Sequence, residues 1–131
     1  MNSGAAEEPT VGARKYLFVV LTNPVKGREA EFNDWYETHV RDTLKVPGIV
    51  AAQRFWVAET NAPRSLDHQS LVLYEIETDD LDDCLQRLRG LVDTPAMILS
   101  DALDRSSTGR AYFEPIGERV VADPTESIAH A

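Results

Sequence analysis

Hydrophobic and polar positions along the chain alternate between two periods. The run "KYLFVVLT", residues 15–22, is continuously apolar, β-branched and aromatic, and the breakers Asn23, Pro24 and Gly27 bound it. It predicts a buried strand with both faces covered. From Arg28 to Leu44 the period becomes helical. At about 100° per residue, Phe32, Trp35, Tyr36, His39 and Thr43 fall in one stripe, while Glu29, Glu31, Asp34, Glu37 and Arg41 lie beside or opposite it. Pro47 and Gly48 end this helix. "IVAAQRFWVAE" follows as a second strand, alternating Ile49, Ala51, Gln53, Phe55 and Val57 with Val50, Ala52, Arg54 and Trp56.

After the polar loop "TNAPRSLDH", the segment "QSLVLYEIE" predicts a third strand. "TDDLDDCLQRLRGLV" predicts a second helix. Thr78 or Asp79 is its N-cap, acids occupy its first turn and bases its end, and Leu81, Cys84, Leu85, Leu88 and Val92 recur at helical spacing. "TPAMILSDALD" reads as a short helix or an ordered loop, and "STGRAYFEPI" as a fourth strand stopped by Pro115. Residues 1–14 read as a loose leader without periodicity, 15–115 as one domain, and 116–131 as an acidic tail that either wraps a partner subunit or stays mobile.

The order is βαββαβ, two split βαβ halves that lay both helices on one face of a four-stranded antiparallel sheet. This is an α+β, ferredoxin-like arrangement. The other sheet face would leave a large apolar surface on a single copy, and a two-fold homodimer that buries those faces against each other resolves it.

Composition narrows the partners. The 131 residues suffice for one domain with a real core, without metal or disulfide staples. With 22 acidic against 13 basic residues the formal charge is −9, and no cluster of Lys and Arg stands ready for phosphates, which argues against nucleic acid or an anionic membrane. Cys84 is the only cysteine, placed in a leucine-rich helical pattern as packing. No apolar run approaches the roughly 20 residues of a membrane span, and no export signal is visible, so a cytoplasmic setting is expected.

The stretch "YLFVVLTNPVKGREAEFNDWYETHVRDTLKVPGIVAAQRF" resembles the dimeric α+β barrel superfamily and, within it, the EthD-like proteins. The resemblance covers residues 15–115. It rests on a strand, a Pro/Gly turn, a helix bearing Trp35, Tyr36 and then His39, and the "VPG" entry Val46, Pro47 and Gly48 to the next strand. It implies a homodimer with one pocket per subunit between sheet and helices, and the first-helix histidine at that pocket. Members of the superfamily include polyketide cyclases, lactone isomerases, cofactor-free oxygenases, haem-using enzymes and ligand-binding domains, so the fold does not select the chemistry.

Read from the residues alone, His39 is either a hydrogen-bonded core histidine or a base at an apolar wall. The resemblance favours the second. A neutral imidazole there accepts a proton from substrate and later returns it. Asp42, one turn on, is placed to orient the ring or to sit in solvent, and Tyr36 to offer its phenol to a substrate oxygen or merely to pack. Arg54 and Trp56 share a strand face and, with Trp35 and Phe18, are candidates for substrate binding. For Arg54 the competing expectation is a cross-strand pair with Glu75. His68 reads as a surface histidine, and His130 as irrelevant. Zinc, nucleotide and serine-nucleophile motifs are missing, so no metal or cofactor is expected. The expected activity is therefore cofactor-independent acid–base chemistry of the lyase or isomerase type (dehydration, cyclisation or isomerisation) on a small apolar oxygenated or aromatic metabolite. Alternatives are a monooxygenase of the same fold, cofactor-free or with haem on His39, and a non-catalytic ligand-binding module.

Overall fold

The computed structural model describes residues 12–126, so residues 1–11 of the expected leader, and 127–131 of the expected tail with His130, lie outside the described residues. Strand β1 (Arg14–Thr22) is followed by helix α1 (Glu29–Thr43), strands β2 (Ile49–Trp56) and β3 (Ser70–Thr78), helix α2 (Leu81–Leu91) and strand β4 (Gly109–Phe113). The sheet runs β2-β3-β1-β4, with every neighbouring pair antiparallel. The predicted α+β, ferredoxin-like order is the observed one.

Strand parity sorts the sheet residues into two faces. In register on the helix side lie Phe18, Tyr74, Ala52 and Tyr112, and next to them Val20, Val72, Arg54 and Arg110. Phe32 and Tyr36 from α1, with Cys84, Leu85 and Leu88 from α2, close over this face. Burying one such aromatic stabilises the fold by about 2–3 kcal/mol. On the other face, Leu17, Phe55 and Phe113 are 38%, 43% and 54% exposed. Within one chain, then, β1 is covered on one side only, where the apolar run predicted two.

A bulge at the start of β2 alters the alternation expected there. Ile49 pairs with Ile76 and Ala51 with Glu75, so Val50 is the extra residue and Ile49 joins Ala52, Arg54 and Trp56 on the helix side. Gly48 makes this entry possible. Its φ of +100° is left-handed, and a Cβ there would stand 3.2 Å from the Cys84 sulfur. Cys84 is a packing residue as expected: its thiol lies 3.4 Å from the Pro47 carbonyl, and burial pushes its pKa up.

Helix α2 starts one residue later than predicted. Asp80 is its N-cap, accepting from the Asp83 amide at 3.0 Å, while the Thr78 hydroxyl accepts from the Asp80 amide one step outside the helix. The segment after α2 is an ordered loop. It is tied to the end of β1 by Val25 N–H to the Ala102 carbonyl, 2.6 Å, and by Asp104 N–H to the Asn23 carbonyl, 2.9 Å. Met97 and Ala102 are buried in it. This loop closes one end of the space between the helices and the sheet. His68, expected at the surface, is half-buried, because its Nε2 lies 2.7 Å from the Ser107 carbonyl and clips the β2–β3 loop to the segment before β4.

Candidate active site

A cavity of about 410 Å³ remains between the helix-side face of the sheet and the two helices. The aromatic stripe of α1, residues of α2, and Leu99 and Leu103 of the loop after it border the cavity. Trp35 is the strut: its indole N–H donates to the Ile98 carbonyl at 2.7 Å, so helix and loop are fixed to each other. Phe18 forms the floor, stacked between Tyr74 at 5.4 Å and Tyr112 at 4.9 Å between ring centroids.

His39 lines this cavity beside Trp35 and Tyr36. Its ring stacks on Trp35, with centroids 4.6 Å apart, and meets Tyr36 edge-on at 5.6 Å. Its Nδ1 is buried without a hydrogen-bond partner among the described residues, and neither ring nitrogen has a bond such as the one that ties His68 Nε2 to the Ser107 carbonyl. Burial lowers its pKa to about 4, with the Asp42 charge opposing the shift, so the imidazole is neutral at neutral pH. The Asp42 carboxylate itself faces Lys45 Nζ at 3.3 Å, and its influence on the ring is through charge.

Two phenols share the cavity. Burial raises the pKa of Tyr36, which keeps its proton. The Thr22 hydroxyl offsets part of that shift, and the Arg54 charge a smaller part. Tyr74 is raised too, by burial first and by Tyr36 second. A neutral base thus stands in one apolar chamber with two O–H donors, the combination needed to move a proton while an oxygen gains negative charge.

Of the residues singled out from sequence, the cavity brings together His39, Tyr36, Trp35 and Phe18, and leaves Arg54, Trp56 and Asp42 outside its lining. Arg54 is occupied elsewhere. Its guanidinium carbon sits 5.0 Å from the Tyr36 ring centroid, its Nη1 donates to Glu37 Oε2 at 2.9 Å, and its Nη2 donates to the Asn33 side chain. The pair with Glu75 does not form, because Glu75 stands opposite Ala51 on the other sheet face. Arg54 braces α1 and the back of Tyr36. Trp56, 45% exposed, lies at the far end of β2.

Sequence reasoning missed Tyr74 and Tyr112, and also Arg89, Arg105 and Arg110, which all line the cavity. The signal for Arg110 and Tyr112 was the two-residue period of β4, which places them on the face of Val20 and Phe18. Arg89, four residues after Leu85, was visible only as a base near a helix end.

No family model matches the chain, and no curated protein matches it by sequence. Solved structures do match. A protein of Shewanella loihica PV-4, provisionally described as a monooxygenase, superposes with a TM-score of 0.56 at 12% identity, over 81% of this chain and 98% of its own. An EthD family protein of Bacillus halodurans C-125 gives 0.52 at 16% identity, over 78% and 99%. A dimeric protein of ferredoxin-like fold from Bacteroides fragilis NCTC 9343 gives 0.50 at 14%, over 76% and 95%. The chain shares the α+β, ferredoxin-like fold of these proteins, an EthD family member among them. At such identities the likeness is one of fold, and the chemistry must be argued from the cavity.

Among the described residues no group of three or more His, Cys, Asp or Glu side chains is placed to hold a metal ion. Were haem bound here, His39 would be the residue to hold it and the apolar lining would enclose the macrocycle. Among the described residues no helix is long and apolar enough to cross a membrane.

Proposed function

We propose that this chain is a cofactor-independent acid–base enzyme of the lyase or isomerase type, acting on a small, largely apolar oxygenated or aromatic metabolite. The observation that carries the reading is the neutral His39, its Nδ1 unpartnered among the described residues, in a chamber that it shares with the phenols of Tyr36 and Tyr74 and that no Asp or Glu lines. His39 takes a proton next to a carbonyl, or one β to a leaving hydroxyl. Tyr36 donates to the oxygen that becomes negative, and Trp35 and Phe18 hold the apolar part of the substrate by stacking. Asp42 stabilises the imidazolium as it forms, acting at a distance. A base of pKa about 4 is weak, so the substrate proton must itself be acidified, and the phenol donors supply that assistance.

The chain acts as a homodimer of residues 15–115 in the cytoplasm. The bare apolar sheet face supports a second copy as its cover, and the Bacteroides fragilis neighbour is described as dimeric. A light-scattering mass equal to one chain would remove the dimer.

A second reading, equally well supported, is a monooxygenase. The Shewanella loihica neighbour carries that description, and an apolar chamber with a neutral base suits deprotonation of an electron-rich phenol before oxygen adds. Incubating the protein with a small-molecule extract of its source cells and following masses separates the readings. Loss of water or an unchanged mass supports the lyase or isomerase, and incorporation of ¹⁸O from labelled dioxygen supports the monooxygenase. Turnover in His39→Gln at the wild-type rate sinks both, because a positioned acid–base group is worth about 10²–10⁴-fold.

A further inference from the structure

The mouth of the cavity carries a charge pattern at odds with the rest of the chain. The protein has a formal charge of −9, yet no Asp or Glu lines the cavity and three arginines do, Arg89, Arg105 and Arg110. They arrive from three different elements: the last turn of α2, the one-turn helix Arg105–Ser107 and strand β4. All three are exposed. Among the described residues Arg89 and Arg110 form no ion pair, and Arg105 reaches only Asp93, at 3.8 Å, with both side chains more than half exposed. Arg14, Arg64 and Arg119 also form no ion pair among the described residues, but none of them lines this cavity. Arg28, Arg54 and Arg87 each donate to a carboxylate within 3.0 Å.

A local structural use accounts for part of this. Arg89 complements the C-terminal end of the α2 dipole, and Arg105 has its distant aspartate. Neither use explains Arg110, which projects from β4 beside Tyr112 onto the cavity side, opposite Val20. Nor does it explain convergence on one opening. A guanidinium presents a planar fork that fits a carboxylate with two parallel hydrogen bonds, and three forks around an apolar chamber favour an anionic head with an apolar body.

Building on the reading of the cavity as a small-molecule site, we propose that its ligand is an organic carboxylate. The ring or hydrocarbon part lies among Phe18, Trp35 and Tyr112, and the carboxylate sits at the mouth against Arg89, Arg105 and Arg110. Substrate orientation follows. The charged end stays outward, and the carbon that reacts is carried inward toward His39 and the phenols. Arg54 takes no part, since Glu37 and Asn33 already hold its fork.

The test uses the full chain, with 2-naphthoate and its neutral counterpart 2-naphthamide as probes. Binding is read by calorimetry and by the fluorescence of Trp35, which lines the cavity. The expected result is that naphthoate binds at least about tenfold more tightly than naphthamide, with a preference that shrinks as salt rises. In the Arg89→Gln/Arg110→Gln double variant the preference falls to within about twofold, while naphthamide binding is retained, which shows that the chamber is intact. Equal affinities in the wild type, or no binding of either probe at millimolar concentration, overturn the proposal. So does a preference that survives the double substitution. Failure of the enzyme reading looks different: in that case naphthoate is still preferred, and His39→Gln and wild type alike turn over nothing.

Discussion

The two walls of the cavity are built on opposite plans. The α1 wall is aromatic and internally satisfied: Trp35 is bonded to the loop carbonyl of Ile98, and Arg54 is fastened behind Tyr36 by Glu37 and Asn33. The wall of α2 and β4 presents Leu85, Leu88 and Tyr112 inside and ends in exposed arginines, of which Arg89 and Arg110 form no ion pair among the described residues. The contrast teaches that residue type alone does not mark a functional group. One arginine is structural because its fork is filled, and others are available because theirs are not. Two buried polar atoms depart from the plan, Arg54 Nε behind Tyr36 and His39 Nδ1, and of the two residues only His39 lines the cavity. The proposed function rests on His39.

The largest effect that sharpens the comparison comes from the packing behind α1. Phe32 has no exposed surface, and Phe32→Ala should cost about 3–5 kcal/mol, read as a fall in denaturant midpoint with the slope unchanged. A loss below about 1 kcal/mol would mean that α1 is not seated as described.

Next in size is the pH dependence. The His39 pKa falls from an unfolded value of about 6.5 to about 4, so between those values the unfolded chain holds more protons and stability rises with pH. Stability attributable to His39 is complete above pH 6.5 and declines as the pH falls toward 4, by at most about 3 kcal/mol. His39→Gln should flatten that segment of the profile. An unchanged slope would place the imidazole in solvent, with the cavity wall elsewhere.

Arg54→Met comes third, at about 1–3 kcal/mol, because it strips Glu37, Asn33 and the Tyr36 ring of their shared partner. The smallest effect belongs to the opposite wall. Arg110→Gln should change stability by less than about 0.5 kcal/mol, as an exposed residue without an ion pair. If thermal melts reversed the order of Arg54→Met and Arg110→Gln, the two walls would not differ in the way described.

Much of this was legible in the residue pattern. The βαββαβ order, the aromatic stripe of α1 and the place of His39 on it follow from the 2- and 3.6-residue periods, and those periods are local properties of the chain. Capping and parity were less so. Asp80 displaced Thr78 and Asp79 as N-cap because which hydroxyl or carboxylate reaches an amide depends on where the turn closes. A single extra residue at Val50 moved Ile49 to the other face.

By itself, the sequence determined which stretches fold as strands and helices and which apolar side chains they must bury, because burial periodicity is written residue by residue. The tertiary structure alone decided which polar groups are free. Arg54 and Glu75 share a neighbourhood in sequence logic but stand on opposite faces of the sheet. Arg89, Arg105 and Arg110, 21 positions apart at their extremes, meet at one opening. Whether a charge is spent on a partner or left for a ligand depends on what the fold brings within hydrogen-bond reach of it, and that distance is set only when all the elements have packed.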